Sequence, residues 1–251
     1  PMGNGTQTVD ELVSVAKNGA LTVLRAAKKA GVKRIVMTSS QAASTPEHGS
    51  TAVLDESFWT DIHNPDLDPY RISKVESERA AWQYARANQL ALTTILPGAI
   101  FGPILSSRAV SSDRILGQLL HGLPMIPHVP LEISDVRDLA HLHRLAFESD
   151  VAIDQRYLAA SQTMSMADVA RCYQNEFPEK KIKIRLLPNW GTKVVARFVP
   201  SMRSLVPMLN RQSRHTTRAA EHDLGWIQHR PEETVIDTAH SLIDFGLDQS
   251  V

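Results

Sequence analysis

Two short apolar runs, Arg34-Ile35-Val36-Met37-Thr38 and Ala91-Leu92-Thr93-Thr94-Ile95-Leu96, each follow a stretch of helical periodicity, and that succession constrains the fold more than any other feature. From Val9 to Ala30 the apolar residues Val9, Leu12, Val13, Ala16, Ala20, Val23, Leu24 and Ala27 recur at three- and four-residue spacing, the mark of an amphipathic helix. Gly31 closes it, with Arg25, Lys28 and Lys29 complementing the dipole near its end. A second helix runs from about Tyr70 to Asn88, and Pro97-Gly98 stops the strand that follows it. Strands this short and apolar are expected to be buried on both faces of a parallel sheet. Two helix-strand units in succession imply parallel strands joined by right-handed crossovers, the doubly wound α/β arrangement, in which ligands sit at the carboxyl ends of the strands. Here those ends carry Thr38-Ser39-Ser40 and Pro97-Gly98-Ala99.

Beyond residue 130 the pattern becomes mixed. Ser134 is expected to cap a helix reaching about Glu148, with Asp135 at its positive end. Gln155 to Ala160 reads as a strand, Met166 to Glu176 as a helix, and Lys181-Ile182-Lys183-Ile184-Arg185-Leu186 as an alternating, half-exposed strand. Helical patterns near 191–208, 216–224 and 232–245 follow. This tail suits a smaller lobe, in which Trp190, Phe198 and Met202 are expected to pack internally.

Composition excludes several classes of function. Lysine plus arginine equals aspartate plus glutamate at 27 each, so no global charge draws the chain to nucleic acid or to an anionic membrane. The expected partner is a small molecule. One cysteine, Cys172, sits mid-helix and reads as a packed thiol suited to a reducing compartment. The first residues resemble no targeting peptide and no apolar run spans a bilayer, so the expected location is the cytoplasm. His141 and His143 are two apart on a helix and share no face, while His121 and His128 lack ligand neighbours, so no metal site is expected.

Tyr70-Arg71-Ile72-Ser73-Lys74 carries the chemistry. Reducing a carbonyl by hydride needs a donor to the oxygen as negative charge develops there, and a proton to complete the alcohol. A tyrosine supplies both when a cation stabilises its phenolate form, and a lysine four residues on lies on the same helical face. A hydroxyl from Ser40 would hold the substrate oxygen beside it. Chance alone supplies such a tyrosine-lysine pair in about one chain in seven of this composition. The order of helix, Thr-Ser-Ser strand, Tyr-Lys helix and Pro-Gly strand is what gives the pair its meaning.

That order resembles the extended short-chain dehydrogenase/reductases of the NAD-dependent epimerase/dehydratase superfamily, most nearly the dihydroflavonol-reductase-like aldehyde and ketone reductases. The residues that carry the resemblance are Gly19 to Ala27, Val32 to Ser40, Tyr70 to Lys74, Leu96 to Pro103 and Ser134 to Ala140. It implies a Rossmann-like doubly wound parallel sheet with a smaller C-terminal substrate-binding lobe. The division expected is residues 1–130 for the dinucleotide-binding part and 131–251 mainly for the lobe, with one or two elements returning to the sheet. The same resemblance implies Ser40 as the substrate-orienting hydroxyl, Tyr70 as proton donor, and Lys74 as both modifier of the tyrosine and ligand of the nicotinamide ribose. Thr38, Ser39, Pro97, Gly98 and Ala99 would flank the nicotinamide end, and Ser107 would approach the phosphates. The implied cofactor is NADP or NAD, with NADPH favoured.

One family feature is not found in the sequence: the strand, Gly-x-x-Gly-x-x-Gly turn and helix whose backbone amides hold the pyrophosphate. Gly3-Asn4-Gly5 does not replace it, and the expectation is an N-terminally incomplete nucleotide domain. At the position where many extended members carry an asparagine, this chain has Ala16. Three functions follow as expectations. They are an NAD(P)H-dependent reductase of an aldehyde or ketone, a non-catalytic remnant acting through binding or oligomerisation, and a nucleotide-sugar epimerase or dehydratase. The expected assembly is a monomer or homodimer.

Overall fold

The computed structural model describes residues 8–106 and 111–247. In chain order the elements are α1 (Val9–Lys29), β1 (Arg34–Thr38), a 3-10 turn (Gln41–Ser44), β2 (Val53–Leu54), α2 (Pro69–Ala87), β3 (Ala91–Leu96) and β4 (Ala99–Phe101). Then come α3 (Ser111–His121), β5 (Ile126–Pro127), β6 (Pro130–Asp135), α4 (Val136–Glu148), β7 (Arg156–Leu158), β8 (Thr163–Ser165) and α5 (Met166–Glu176). The chain ends through β9 (Leu186–Leu187), α6 (Asn189–Phe198), a 3-10 segment (Pro200–Met208), β10 (Arg214–His215), α7 (Arg218–Leu224) and α8 (Pro231–Asp244). They form two compact units. One is built from the chain up to Gly98 with His141–Ala160 and Gln212–Trp226; the other from Ala99–Ala140, Ser161–Arg211 and the chain from Ile227 onward. The α/β class read from the sequence is the observed one, and residues 99–130 pack in the second unit.

The first unit is organised on the all-parallel sheet β1-β3-β7, with Val36 opposite Thr93 and Ile95 opposite Tyr157. Parallel neighbours need a crossover, and α2 supplies it between β1 and β3. Helix α1 starts at a capping box in which the Thr8 hydroxyl accepts from the Glu11 amide and Glu11 accepts from the Thr8 amide. It ends at Gly31, whose φ of +69° is the left-handed conformation that a helix stop favours. Leu24 of α1 packs with Ala81, Trp82 and Ala85 of α2 and with Leu92 of β3. Ser77 ties the same two helices by donating to the Ala16 carbonyl at 3.1 Å.

Strand β1 departs from the expectation of burial on both faces. Ile35, Val36 and Met37 are half-buried and Thr38 is exposed, whereas Leu92 to Leu96 of β3 are all buried. The reason is topological: β3 is flanked by two strands, while among the described residues β1 pairs only with β3.

In the second unit β6 pairs in parallel with β4 and antiparallel with β8. Phe101, Leu116, Leu120, Tyr173, Val235 and Leu242 belong to its core, which α3, α5 and α8 share. Gly102 holds φ +125°, and a Cβ there would come 2.9 Å from Val136 Cγ1; its amide donates to Thr238 of α8 at 2.7 Å.

Two secondary-structure expectations are corrected in this unit. Ser134 does not cap α4, because the β6 ladder runs through Asp135, opposite Phe101, and the helix starts at Val136. Asp135 does the capping, accepting from the Arg137 amide at 2.8 Å. The run Lys181 to Leu186 is a strand only at its end, where Leu186 pairs with Ile126. Its alternation is real, with Ile182 buried between exposed Lys181 and Lys183, but it reflects packing on the core rather than a ladder. Lys181 itself sits in the left-handed region at φ 50°, which breaks a strand there.

Asp135 also accepts from the Arg137 guanidinium at 2.7 Å and from the Thr234 hydroxyl at 2.8 Å. Burial alone would raise its pKa, but these bonds from Arg137 and Thr234 bring it below the ordinary value of 3.8. A depressed carboxylate stabilises the fold above its unfolded pKa, and that contribution is lost as pH falls through the folded value. Asp135→Asn is therefore expected to cost about 1–3 kcal/mol at neutral pH, with the difference from the parent protein shrinking below about pH 4 in urea unfolding. A difference constant with pH would contradict this assignment.

Candidate active site

Helix α2 opens on Asp68, whose carboxylate accepts from the Arg71 amide at 2.8 Å, with Pro69 in the first turn where its missing N–H costs nothing. Tyr70 and Lys74 follow on one face, both half-buried, and the Lys74 ammonium lies 5.4 Å from the centre of the Tyr70 ring. One further turn along the same row is Glu78, fully buried. The row thus runs from an accessible phenol, through an ammonium, to a carboxylate in the core.

The three residues after β1 have separate tasks. Thr38 is exposed, its hydroxyl 2.7 Å from His143 Nε2 of α4. Ser39 is buried, its amide donating to the Ile95 carbonyl and its hydroxyl donating to Glu78 at 2.7 Å. Ser40 is half-buried and caps the 3-10 turn, its hydroxyl accepting from the Ala42 amide at 3.1 Å. Gln41 then bridges to β3 and beyond β7, its amide donating to the Pro97 carbonyl and its side chain to the Ala160 carbonyl at 2.5 Å. Ala43 of this turn packs with Val75, the neighbour of Lys74, and with Leu96 and Leu158. The end of β1 and the start of α2 are therefore held against one another.

Of the remaining expected site residues, Pro97 is buried and Gly98 half-buried, both directly after β3. Ala99 opens β4 in the second unit, opposite Ile133. Ser107 lies outside the described residues.

Sequence reasoning missed the ion pair beneath this site. Glu78 accepts from Arg156 Nε at 2.9 Å, from the Thr94 hydroxyl at 2.9 Å, and from Ser39. Arg156 spends its other donors on the carbonyls of Glu56, Phe58 and Ala43, and its guanidinium stacks on Trp59 at 4.0 Å. The available signal was a lone arginine in an otherwise apolar strand, together with an acid four residues beyond Lys74.

Other polar groups separate from this site by their environment. Burial and the adjacent Asp223 carboxylate, which accepts from Tyr157 at 3.1 Å, push the Tyr157 phenol up and keep it protonated. Burial likewise raises the Glu56 carboxyl and the Cys172 thiol, which suits the packed thiol expected at Cys172. Asp135, Asp138 and His229 form the one cluster among the described residues with metal-ligand spacing. Hydrogen bonds occupy it: His229 donates its backbone amide to Asp138 at 2.6 Å and sets Nδ1 2.5 Å from the same carboxylate, while Asp135 holds Arg137 and Thr234.

A family model described as the NAD dependent epimerase/dehydratase family matches residues 5–159. The chain belongs to this family. Cinnamoyl-CoA reductase 1 of Arabidopsis thaliana is 32% identical over 179 residues, covering 69% of this chain and 52% of that protein. An anthocyanidin reductase ((2S)-flavan-3-ol-forming) of Vitis vinifera is 29% identical over 191 residues, 69% of this chain and 56% of its own. The chain spans about half the length of these curated relatives. Among solved structures, yeast methylglyoxal/isovaleraldehyde reductase Gre2 complexed with NADPH matches with a TM-score of 0.79 at 26% identity, covering 98% of this chain and 75% of that one.

The two serines should separate by stability. Ser39→Ala leaves buried Glu78 short of a donor and is expected to cost about 1–3 kcal/mol in urea unfolding. Ser40→Ala removes only a cap bond on a four-residue turn and should cost less than about 1 kcal/mol. Equal costs, or the reverse order, would refute this division of roles.

Proposed function

We propose that this chain carries the carbonyl-reducing machinery of an NAD(P)H-dependent oxidoreductase acting on an aldehyde or ketone. The observation that carries the reading is the Lys74 ammonium set over the Tyr70 ring at the accessible start of α2. The named reductase relatives support it, and the NADPH complex of the yeast reductase favours NADPH over NADH.

The residues present suit the nicotinamide end of such a cofactor. Lys74 offers ammonium donors and Tyr70 a hydroxyl for ribose, and the buried Gln41 side-chain oxygen, which has no hydrogen-bond partner, leaves an acceptor beside the same turn. When bound, the reduced nicotinamide supplies a hydride, two electrons and one hydrogen, to the carbonyl carbon. Ser40 donates a hydrogen bond that orients the carbonyl oxygen, which requires its hydroxyl to keep accepting from Ala42 while its proton turns to the substrate. Tyr70 releases its phenolic proton to that oxygen as the C–O double bond becomes single, so the product is an alcohol. Lys74 stabilises the negative charge left on Tyr70 until water returns the proton.

Calorimetric titration with NADPH, followed by cofactor oxidation with a simple aldehyde, tests this. Saturable binding is expected, with Tyr70→Phe keeping it and losing about 10²–10⁴-fold in turnover, and Lys74→Ala weakening both. Folded protein without saturable binding would leave the non-catalytic reading in its place. Binding without net cofactor consumption by any simple aldehyde or ketone would favour an epimerase.

A further inference from the structure

Helix α6 is turned inside out. Its buried residues are the small Gly191, Thr192 and Ala196, while its outward face carries Trp190, Val194 and Phe198 at four-residue spacing. Trp190 is 73% exposed and Phe198 81%, so these two side chains do not pack inside the lobe as the sequence suggested. Lys193 and Arg197, both exposed, form the adjoining row of the helix, beside the apolar one. They also line a surface hollow of about 480 Å³ with Ala196 and Val206.

The chain segment that carries α6 is rich in basic residues, with Glu179 directly before it and Arg211 at its end paired with Glu132 at 3.2 Å. From Lys180 to Arg211 every charged residue is a lysine or an arginine, although the whole chain balances at 27 of each sign. Exposed Lys183, Arg185 and Leu186 extend the basic, apolar surface on the N-terminal side of α6. Zero net charge conceals this segregation.

We infer that α6 is a membrane-surface contact, seating its Trp190-Val194-Phe198 row in the headgroup region of an anionic bilayer. The row is about 12 Å long, short enough to lie in the interface and far too short to span it. Aromatic rings favour that depth, and Lys193 and Arg197 meet lipid phosphates beside them, with the hollow between the two cations open to a headgroup. A protein partner fits less well, because the core of a protein interface is depleted in lysine, and here exposed Lys193 directly adjoins the apolar row. Among the described residues no helix is long and apolar enough to cross a membrane.

Co-sedimentation with vesicles of phosphatidylcholine, alone or with about one-third phosphatidylserine, tests the inference. The chain should partition onto the anionic vesicles, be released by high salt, and ignore the neutral ones. Reversing both cations with K193E and R197E should weaken partitioning roughly 25-fold, at about fivefold or more per cation, and W190S with F198S should reduce it comparably, all with unchanged circular dichroism. No partitioning, equal partitioning onto neutral vesicles, or variants that bind like the parent would overturn it. So would capture by a nucleic acid without vesicle binding, or a dimer in light scattering that W190S and F198S dissolve. None of these readouts depends on catalytic turnover.

Discussion

The Glu78–Arg156 pair is the interaction on which the first unit depends. It joins the middle of α2 to β7 in a region where both side chains are nearly free of solvent. Two charges removed from water are costly unless their remaining donors and acceptors are filled, and here they are filled thoroughly. Ser39, Thr94 and Arg156 all donate to one carboxylate, and Arg156 reaches three backbone carbonyls while stacking on Trp59. Such a pair adds little net stability over a hydrophobic substitute, but loss of one partner strands a buried charge at about 3–5 kcal/mol. Its value lies in geometry, because it allows one arrangement of β1's end, α2 and the loop that carries Glu56 and Phe58.

That arrangement divides two adjacent serines. Successive side chains of an extended segment point to opposite sides, so once Ser39 is bound to Glu78, Ser40 faces the other way. The same row of α2 that buries Glu78 brings out Lys74 and Tyr70 one and two turns earlier. Structural polarity and chemistry are thus spaced along a single helix, and positioning of the Tyr70-Lys74 pair follows from anchoring its buried end.

Helices and parallel strands were legible because their signals are local: Gly31 stops α1, Pro69 starts α2, and the apolar runs at 34–38 and 91–96 admit few alternatives. The Tyr70-Lys74 contact was legible from spacing alone. What spacing cannot show is pairing between distant residues. Arg156 and Glu78 are 78 positions apart, and neither has a local pattern that names the other. For the same reason Ser134 looked like a cap until the β6 ladder extended past it, and the Lys181–Leu186 alternation looked like a strand although it has a ladder partner only at its end. At α6 the large apolar side chains of Trp190 and Phe198 face outward despite their helical spacing, and the small residues Gly191 and Ala196 mark the buried side.

Hydrogen exchange in Glu78→Ala tests the central claim most directly. The amides of Ser39 and Gln41 donate to the carbonyls of Ile95 and Pro97 and should be protected in the intact protein. With the carboxylate removed, protection should fall selectively at Ser39 to Ala43 and through the first two turns of α2, while α5 and α8 in the second unit keep theirs. Unchanged exchange at Ser39 and Gln41, or a uniform loss across both units, would show that the buried pair does not hold the candidate active site in place.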